Sequence, residues 1–197
     1  MRILVIGASG TIGQAVVEAL STRHDIITAS RSTRPVSVDI ADPASIRAMY
    51  EAVGPVDAVV STSGQARFKP LHQLSDDDFA FSLGNKLMGQ VNIIRVGLEY
   101  VNDNGAIVVT SGILASRPTR GSGAVSLVNA GLEGFARAAA LEAPRGIRVN
   151  VVSPPWVTET LVKLGMGPSG GLPAKVVAQA YLRAVEEQMS GDVVEPA

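Results

Sequence analysis

A glycine-spaced turn close to the start of the chain restricts its possible folds more than any other feature. Gly7-Ala8-Ser9-Gly10-Thr11-Ile12-Gly13 follows the apolar run Ile3–Ile6. It leads into Thr11–Leu20, where Ile12, Ala15, Val16, Ala19 and Leu20 recur at helical spacing. The pattern is strand, glycine turn, helix. Glycine allows the tight turn and lets backbone approach a bound anion. The helix behind it offers free N–H groups and the positive end of its dipole. Ser9 and Thr11 add hydroxyl donors. A glycine-rich turn can exist without a ligand, but this context fits the pyrophosphate of a dinucleotide.

The rest of the chain repeats the alternation. Strands are expected at Ile26–Ala29, Val36–Val38, Asp57–Val60, Ala106–Thr110, Ile147–Val152 and Val193–Val194. Helices are expected from Asp42-Pro43 to about Val53, over Asp76–Val101 with a break near Gly84, over Ser122–Glu142 and over Pro173–Met189. Gly165–Gly171 reads as a mobile loop. Strict strand–helix alternation predicts an α/β Rossmann fold, a doubly wound parallel sheet of about seven strands in three αβα layers. The expected strand order is 3-2-1-4-5-6-7, in one domain spanning residues 1–197.

Composition removes several classes of function. The chain has 197 residues, 46% apolar and 18% charged, with a net charge of −1. That balance provides no general attraction to nucleic acid or anionic membrane. The absence of cysteine excludes disulfides, thiolate metal sites and cysteine nucleophiles. The two histidines, His24 and His72, have no metal-ligand spacing, so no metal is expected. The opening apolar run is too short for a leader or a membrane span, so a cytoplasmic location is expected.

The end of the second strand bears on which dinucleotide is bound. An NAD site usually carries an acid there. Here the stretch reads Ala29-Ser30-Arg31-Ser32-Thr33-Arg34, with no carboxylate. Arg31 can pair a 2′-phosphate, and Ser30 and Ser32 can donate to it, so the expected cofactor is NADP(H). The plainer alternative is a solvated loop arginine.

Across nearly its whole length the chain resembles the short-chain dehydrogenase/reductase family. The glycine turn matches that family's cofactor turn. Asp39-Ile40 resembles its adenine-binding pair. Ser61-Thr62-Ser63-Gly64 lies where the family has Asn-Asn-Ala-Gly. Val108-Val109-Thr110-Ser111 resembles the strand end that carries the catalytic serine. Ala130 to Phe135 resembles the helix after the catalytic lysine, and Ile147 to Pro154 the sixth strand and its Pro-Gly loop. The resemblance implies cofactor contacts from Gly7, Ser9, Gly10, Thr11, Ile12, Gly13, Ser30, Arg31, Ser32, Asp39, Ile40, Ser61, Thr62, Gly64, Asn129, Pro154 and Val157.

It also shows departures. The family's catalytic Tyr-x-x-x-Lys is absent, and alignment on Ala130-Gly131-Leu132 places Val125 and Asn129 at its two ends. Valine transfers no proton, and asparagine can bond a ribose hydroxyl but carries no charge. Matching Leu87 and Gly89 to the family's Asn-Leu-x-Gly puts Lys86 at its asparagine. The expected catalytic residues are Ser111 and Lys86, with Lys86 as a replacement cation or proton donor. The leading expectation is an NADP(H)-dependent oxidoreductase acting on a small carbonyl or alcohol. The alternatives are a non-redox NADP(H)-binding sensor and an isomerase- or lyase-type enzyme. The small residues of Ser122–Glu142 predict a homodimer or homotetramer.

Overall fold

The computed structural model describes residues 1–31 and 36–197. Strands β1 (Arg2–Ile6), β2 (Asp25–Ser30), β3 (Val36–Ser37), β4 (Val56–Ser61), β5 (Val101–Thr110), β6 (Arg148–Val152) and β7 (Val193–Val194) form one sheet. Its order is β3-β2-β1-β4-β5-β6-β7 and every pairing is parallel. The register places Ile3 opposite both Ile26 and Ala58, and Ala106 opposite Arg148. Chain order turns back at β1, which has β2 on one side and β4 on the other. Such a switch point opens a crevice at the carboxyl ends of the strands.

The strands are apolar on both faces because helices cover both. Leu4, Ile6, Val59, Ile107, Val109, Val149 and Val151 face the layer containing α2 (Pro43–Val53), α4 (Gly89–Tyr100) and α5 (Gly123–Glu142). Ile3, Val5, Ala58, Val60, Val108 and Val152 face α1 (Thr11–Ser21) and α7 (Ala174–Glu186). Two tyrosines belong to these cores. Tyr50 donates to the Ile93 carbonyl across 2.9 Å, and Tyr181 bonds Thr110 Oγ1 at 2.7 Å. Burying those hydroxyls is tolerable because each has a partner.

Local signals explain the helix starts. Asp42 accepts from Ala44 N and Pro43 follows it, which fixes the start of α2. Ser75 and Asp78 form a reciprocal capping box at α3 (Asp76–Ser82).

The structure differs from expectation in three places. The long helix predicted over Asp76–Val101 is three pieces: α3, a π-helical turn over Leu83–Met88, and α4. β5 begins at Val101, which pairs with Val56, and its ladder is irregular before it resumes at Ala106. A short helix, α6 (Thr158–Lys163), precedes the glycine-rich loop. No helix among the described residues is long and apolar enough to cross a membrane.

Candidate active site

Two adjoining cavities lie at the carboxyl edge of the sheet. The first is a cleft of about 290 Å³ lined by Gly7, Ser9, Gly10, Ser30, Arg31, Val38, Asp39, Ile40, Thr62, Ser63, Gly64, Gln65 and Asn85. Its floor is the glycine turn. Gly7 has φ +86°, and a Cβ there would strike the Ser63 hydroxyl and lie 2.8 Å from Thr62 Oγ1. Gly13 has no room for a Cβ either, because the Gly7 carbonyl fills that space. Gly10 precedes α1 in extended conformation with no side-chain cap, so the amides of the first turn face outward. Thr62 closes the far wall, its hydroxyl reaching the carbonyls of Ile6 and Gly7 at 3.2 Å each. At the other end, Asp39 is held by Ser45 and by Ala41 N, and exposed Arg31 forms the rim.

The second cavity is larger, about 800 Å³. Phe68, Phe81, Ile113, Leu114, Val125, Trp156, Leu164 and Met166 supply apolar walls. Phe68 and Trp156 meet edge to face at 6.0 Å. Gly64 and Gln65 line both spaces, so the two cavities adjoin there. Gly64, at φ +133°, has no side chain because Lys86 occupies its flank, with Cγ 3.1 Å from where a Cβ would be.

The π-helical turn positions Lys86. One wide turn separates two neighbours: Asn85 lines the first cleft, where its Oδ1 accepts from Gln65 N at 2.7 Å, and Lys86 lines the second. The Lys86 ammonium donates to the Ser111 carbonyl oxygen across 3.2 Å. Burial lowers its pKa to about 8. Gln90, fully buried, grips the end of β5 by accepting from Thr110 N and donating to Thr110 O, each at 2.8 Å. The strand end that presents Ser111 is therefore fixed to the same helix that follows Lys86.

Asn129 also lines the second cavity while being 2% exposed. Its Nδ2 donates to the Gly112 carbonyl at 3.3 Å, which fixes the amide orientation, and its Oδ1 has no partner. A buried acceptor without a donor is a costly arrangement. A ligand hydroxyl would satisfy it. The glycine cradle and this orphaned oxygen both fit a dinucleotide, with pyrophosphate on the first and a ribose on the second.

A family model described as enoyl-(acyl carrier protein) reductase matches residues 7–193. The chain belongs to the short-chain dehydrogenase/reductase family. Its relatives in that family include the 3-oxoacyl-(acyl-carrier-protein) reductase FabG of Escherichia coli, 26% identical, with 89% of this chain and 81% of that protein covered. Human L-xylulose reductase is 29% identical, over 84% of this chain and 73% of that enzyme. Among solved structures, a Listeria innocua protein superposes with a TM-score of 0.96 at 40% identity, covering both chains completely. A small-chain dehydrogenase in complex with NADPH superposes with a TM-score of 0.86 at 25% identity, over 99% of this chain and 95% of that one.

In this dehydrogenase/reductase chain the residues expected from sequence distribute unevenly. Gly7, Ser9, Gly10, Ser30, Arg31, Asp39, Ile40, Thr62 and Gly64 line the first cleft. Ile12, Asn129, Pro154 and Val157 line the second cavity, beside Lys86 and Ser111. Ser32 lies outside the described residues. Thr11 lines neither cavity and its hydroxyl accepts from Lys163 Nζ at 2.8 Å, while Gly13 sits behind the turn as a packing contact. Ser61 is fully buried in β4, and its neighbours Thr62 to Gln65 reach the cleft in its place. Ser111 lines the cavity, but its hydroxyl donates to Glu133 Oε1 at 2.8 Å, and Ser153 donates to the same oxygen at 3.2 Å. Glu133, Ser63, Gln65 and Asn85 were not anticipated as site residues. The π-helical turn that places Asn85 leaves no mark in apolar spacing. None of Tyr50, Tyr100 and Tyr181 lines either cavity.

Proposed function

We propose that the chain is an NADP(H)-dependent oxidoreductase that interconverts a carbonyl and an alcohol on a small, largely apolar molecule. One observation carries the reading: the nucleotide cleft adjoins, at Gly64 and Gln65, a largely apolar cavity with a single titratable proton donor. Lys86 and Arg67 are the only ionisable side chains among the described residues lining that cavity. Arg67 stacks over Phe81 at 4.0 Å, and a guanidinium does not give up its proton near neutral pH.

The bound cofactor supplies hydride chemistry. The chain's own residues bind, orient and move the proton. The glycine turn and the first amides of α1 hold the pyrophosphate. Arg31 pairs the 2′-phosphate, and Asn129 Oδ1 accepts from a ribose hydroxyl. Lys86, steadied by the Ser111 carbonyl, gives its proton to the substrate oxygen during reduction. Its lowered pKa places that transfer near neutrality, where a general acid works best. Ser111 contributes its carbonyl to this arrangement, with its hydroxyl tied to Glu133. Val125, Ile113, Leu114 and Trp156 keep water from the reacting carbon. The chain acts as a homodimer or homotetramer assembled through α5. The test is loss of NADPH absorbance with a panel of apolar aldehydes and ketones.

A second reading, an NADP(H)-binding sensor without turnover, is favoured by one observation: no tyrosine lines the cavity and the Ser111 hydroxyl points to Glu133. Tight NADPH binding with no turnover across the panel supports that reading over the first.

A further inference from the structure

Arg67 lines the substrate cavity but moves no proton and has no part in the reading above. It belongs to a stretch, residues 62–70, that forms neither helix nor strand. Alternate amides of that stretch are nonetheless held. Gln65 N donates to Asn85 Oδ1 at 2.7 Å, Arg67 N to Ser82 Oγ at 3.0 Å, and Lys69 N to Gly121 O at 3.0 Å. Ser82 is fully buried and donates in turn to the Asp78 carbonyl at 2.7 Å. The Arg67 guanidinium lies over the Phe81 ring at 4.0 Å, and that ring is itself a cavity wall. Stacking covers one face of a guanidinium and leaves its in-plane N–H groups able to donate. Backbone and side chain are thus both placed before any ligand arrives.

The charge of Arg67 is not used up by the protein. Asp78, the acid beside it, is shared between two cations. Lys69 Nζ donates to both Asp78 oxygens, at 3.0 and 2.8 Å, and Ser75 N and Oγ donate to one of them at 3.1 and 3.2 Å. These bonds, that of Lys69 first, hold the Asp78 carboxyl below the usual carboxylate range. Arg67 Nε meets the same carboxylate only as an ion pair at 3.5 Å, and its guanidinium donates no hydrogen bond among the described residues. The described lining of the cavity contains no aspartate or glutamate. Arg67 and Lys86 therefore face a largely apolar space whose walls carry no anion. Such a space attracts negative charge, and a guanidinium grips a carboxylate or phosphoryl group through paired N–H bonds.

Resting on the carbonyl/alcohol reading, we propose that Arg67 is an anion subsite of this cavity, and that the substrate is an apolar carbonyl compound with a carboxylate or phosphoryl end. Phe68, Phe81 and Trp156 take the apolar body. The Lys86 ammonium, held by the Ser111 carbonyl, stays with the reacting oxygen. Arg67 then decides which end of the substrate meets Lys86.

Trp156 provides the test. It is the single tryptophan of the chain, and it lines the cavity. It stands at the closed base of its segment, where Leu172 N donates to Trp156 O at 2.8 Å and Thr158 N to Leu172 O at 2.9 Å. Its fluorescence reports occupancy without turnover. Native, Arg67→Met and Arg67→Lys chains, each with NADP⁺ present, are titrated with ω-acetylhexanoate, its methyl ester and the phosphonate analogue. The native chain should bind the acid about tenfold more tightly than the ester. Arg67→Met should lose that preference with ester affinity nearly unchanged, and Arg67→Lys should keep part of it. A phosphonate bound more tightly than the carboxylate assigns the subsite to phosphoryl groups, and the reverse order to carboxylates. A native chain that binds the acid no better than the ester overturns the proposal. So does an equal loss for both in Arg67→Met, which makes Arg67 a packing residue. NADPH absorbance is followed with the same compounds. Preference for the anion without NADPH consumption upholds the subsite and overturns the redox reading.

Discussion

Lys86 and Ser111 are joined through backbone rather than side chain: the lysine ammonium donates to the serine carbonyl oxygen at 3.2 Å, while the serine hydroxyl turns to Glu133 at 2.8 Å. The strand end thus holds the proton donor and is itself braced by a carboxylate from α5. Replacing Lys86 by methionine keeps most of the apolar stem and removes the proton. Carbonyl reduction should fall by about 10²–10⁴-fold, with NADPH affinity nearly unchanged. Steady-state rates and a separate NADPH titration check both parts.

The pH dependence has a definite sign. Burial lowers the Lys86 pKa from 10.5 to about 8, so the ammonium is lost early as pH rises. In the reductive direction kcat/KM should be level below about 8 and fall above it, and the falling limb should vanish in Lys86→Met. Stability moves the other way. Between about 8 and 10.5 the unfolded chain binds more protons at this site than the folded one. The Lys86 contribution to unfolding free energy therefore rises with pH across that window and is flat below it. Denaturation of native and Lys86→Met chains at several pH values measures the difference.

Arg31 forms the exposed rim of the nucleotide cleft, beside a strand end with no acid. Arg31→Ala should weaken NADPH binding by about 1.5–3 kcal/mol and leave NADH binding almost unaltered. Parallel titrations of both dinucleotides decide it. Equal affinities in the native chain would remove the basis for the NADP(H) preference.

Gly13 packs so closely on the Gly7 carbonyl that the helix and the turn share one surface. A methyl group there meets backbone, which cannot swing aside. Gly13→Ala should cost about 1–3 kcal/mol of stability and weaken dinucleotide binding together, because the cradle must open to accept it. Urea denaturation and NADPH titration of the same variant read the two effects.

Helix α5 leaves an apolar stripe outward. Leu127 is 48% exposed, Leu141 is 91% exposed, and Ala130 and Gly134 lie exposed between them, with nothing within 4 Å of a Cβ placed on Gly134. Small residues between two leucines suit close approach of a second helix. The native chain should sediment as a dimer or tetramer at micromolar concentration, and Leu141→Asp should shift it towards monomer.

The central strands were readable because β1, β4, β6 and the Ala106–Thr110 part of β5 are short apolar runs bounded by turn residues, buried on both faces. The glycine turn was readable for the same reason: close packing at Gly7 and Gly13 leaves no other residue type a place. The π-helical turn at Leu83–Met88 was not, since one extra residue in one turn barely disturbs apolar spacing, yet it decides that Asn85 and Lys86 serve different cavities. Helix α6 is too short to display a period. Ser61 looked like a cleft residue by resemblance, but it ends a central strand, and the loop after it carries the lining. The direction of the Ser111 hydroxyl depends on Glu133, 22 residues away, a pairing no local pattern encodes.

The closed ends of the Trp156–Leu172 segment have a consequence for how such a chain can diversify. Two hydrogen bonds and the Val157–Leu172 bridge close the segment at its base, and its glycine tip lies beyond the contacts that α6 makes with the rest of the chain. Residues inserted at the glycine tip would extend into solvent and leave strand register untouched. The tip is thus the place where a longer or differently shaped loop could be grafted to alter what enters the cavity, with the glycine turn and the strands left as they are.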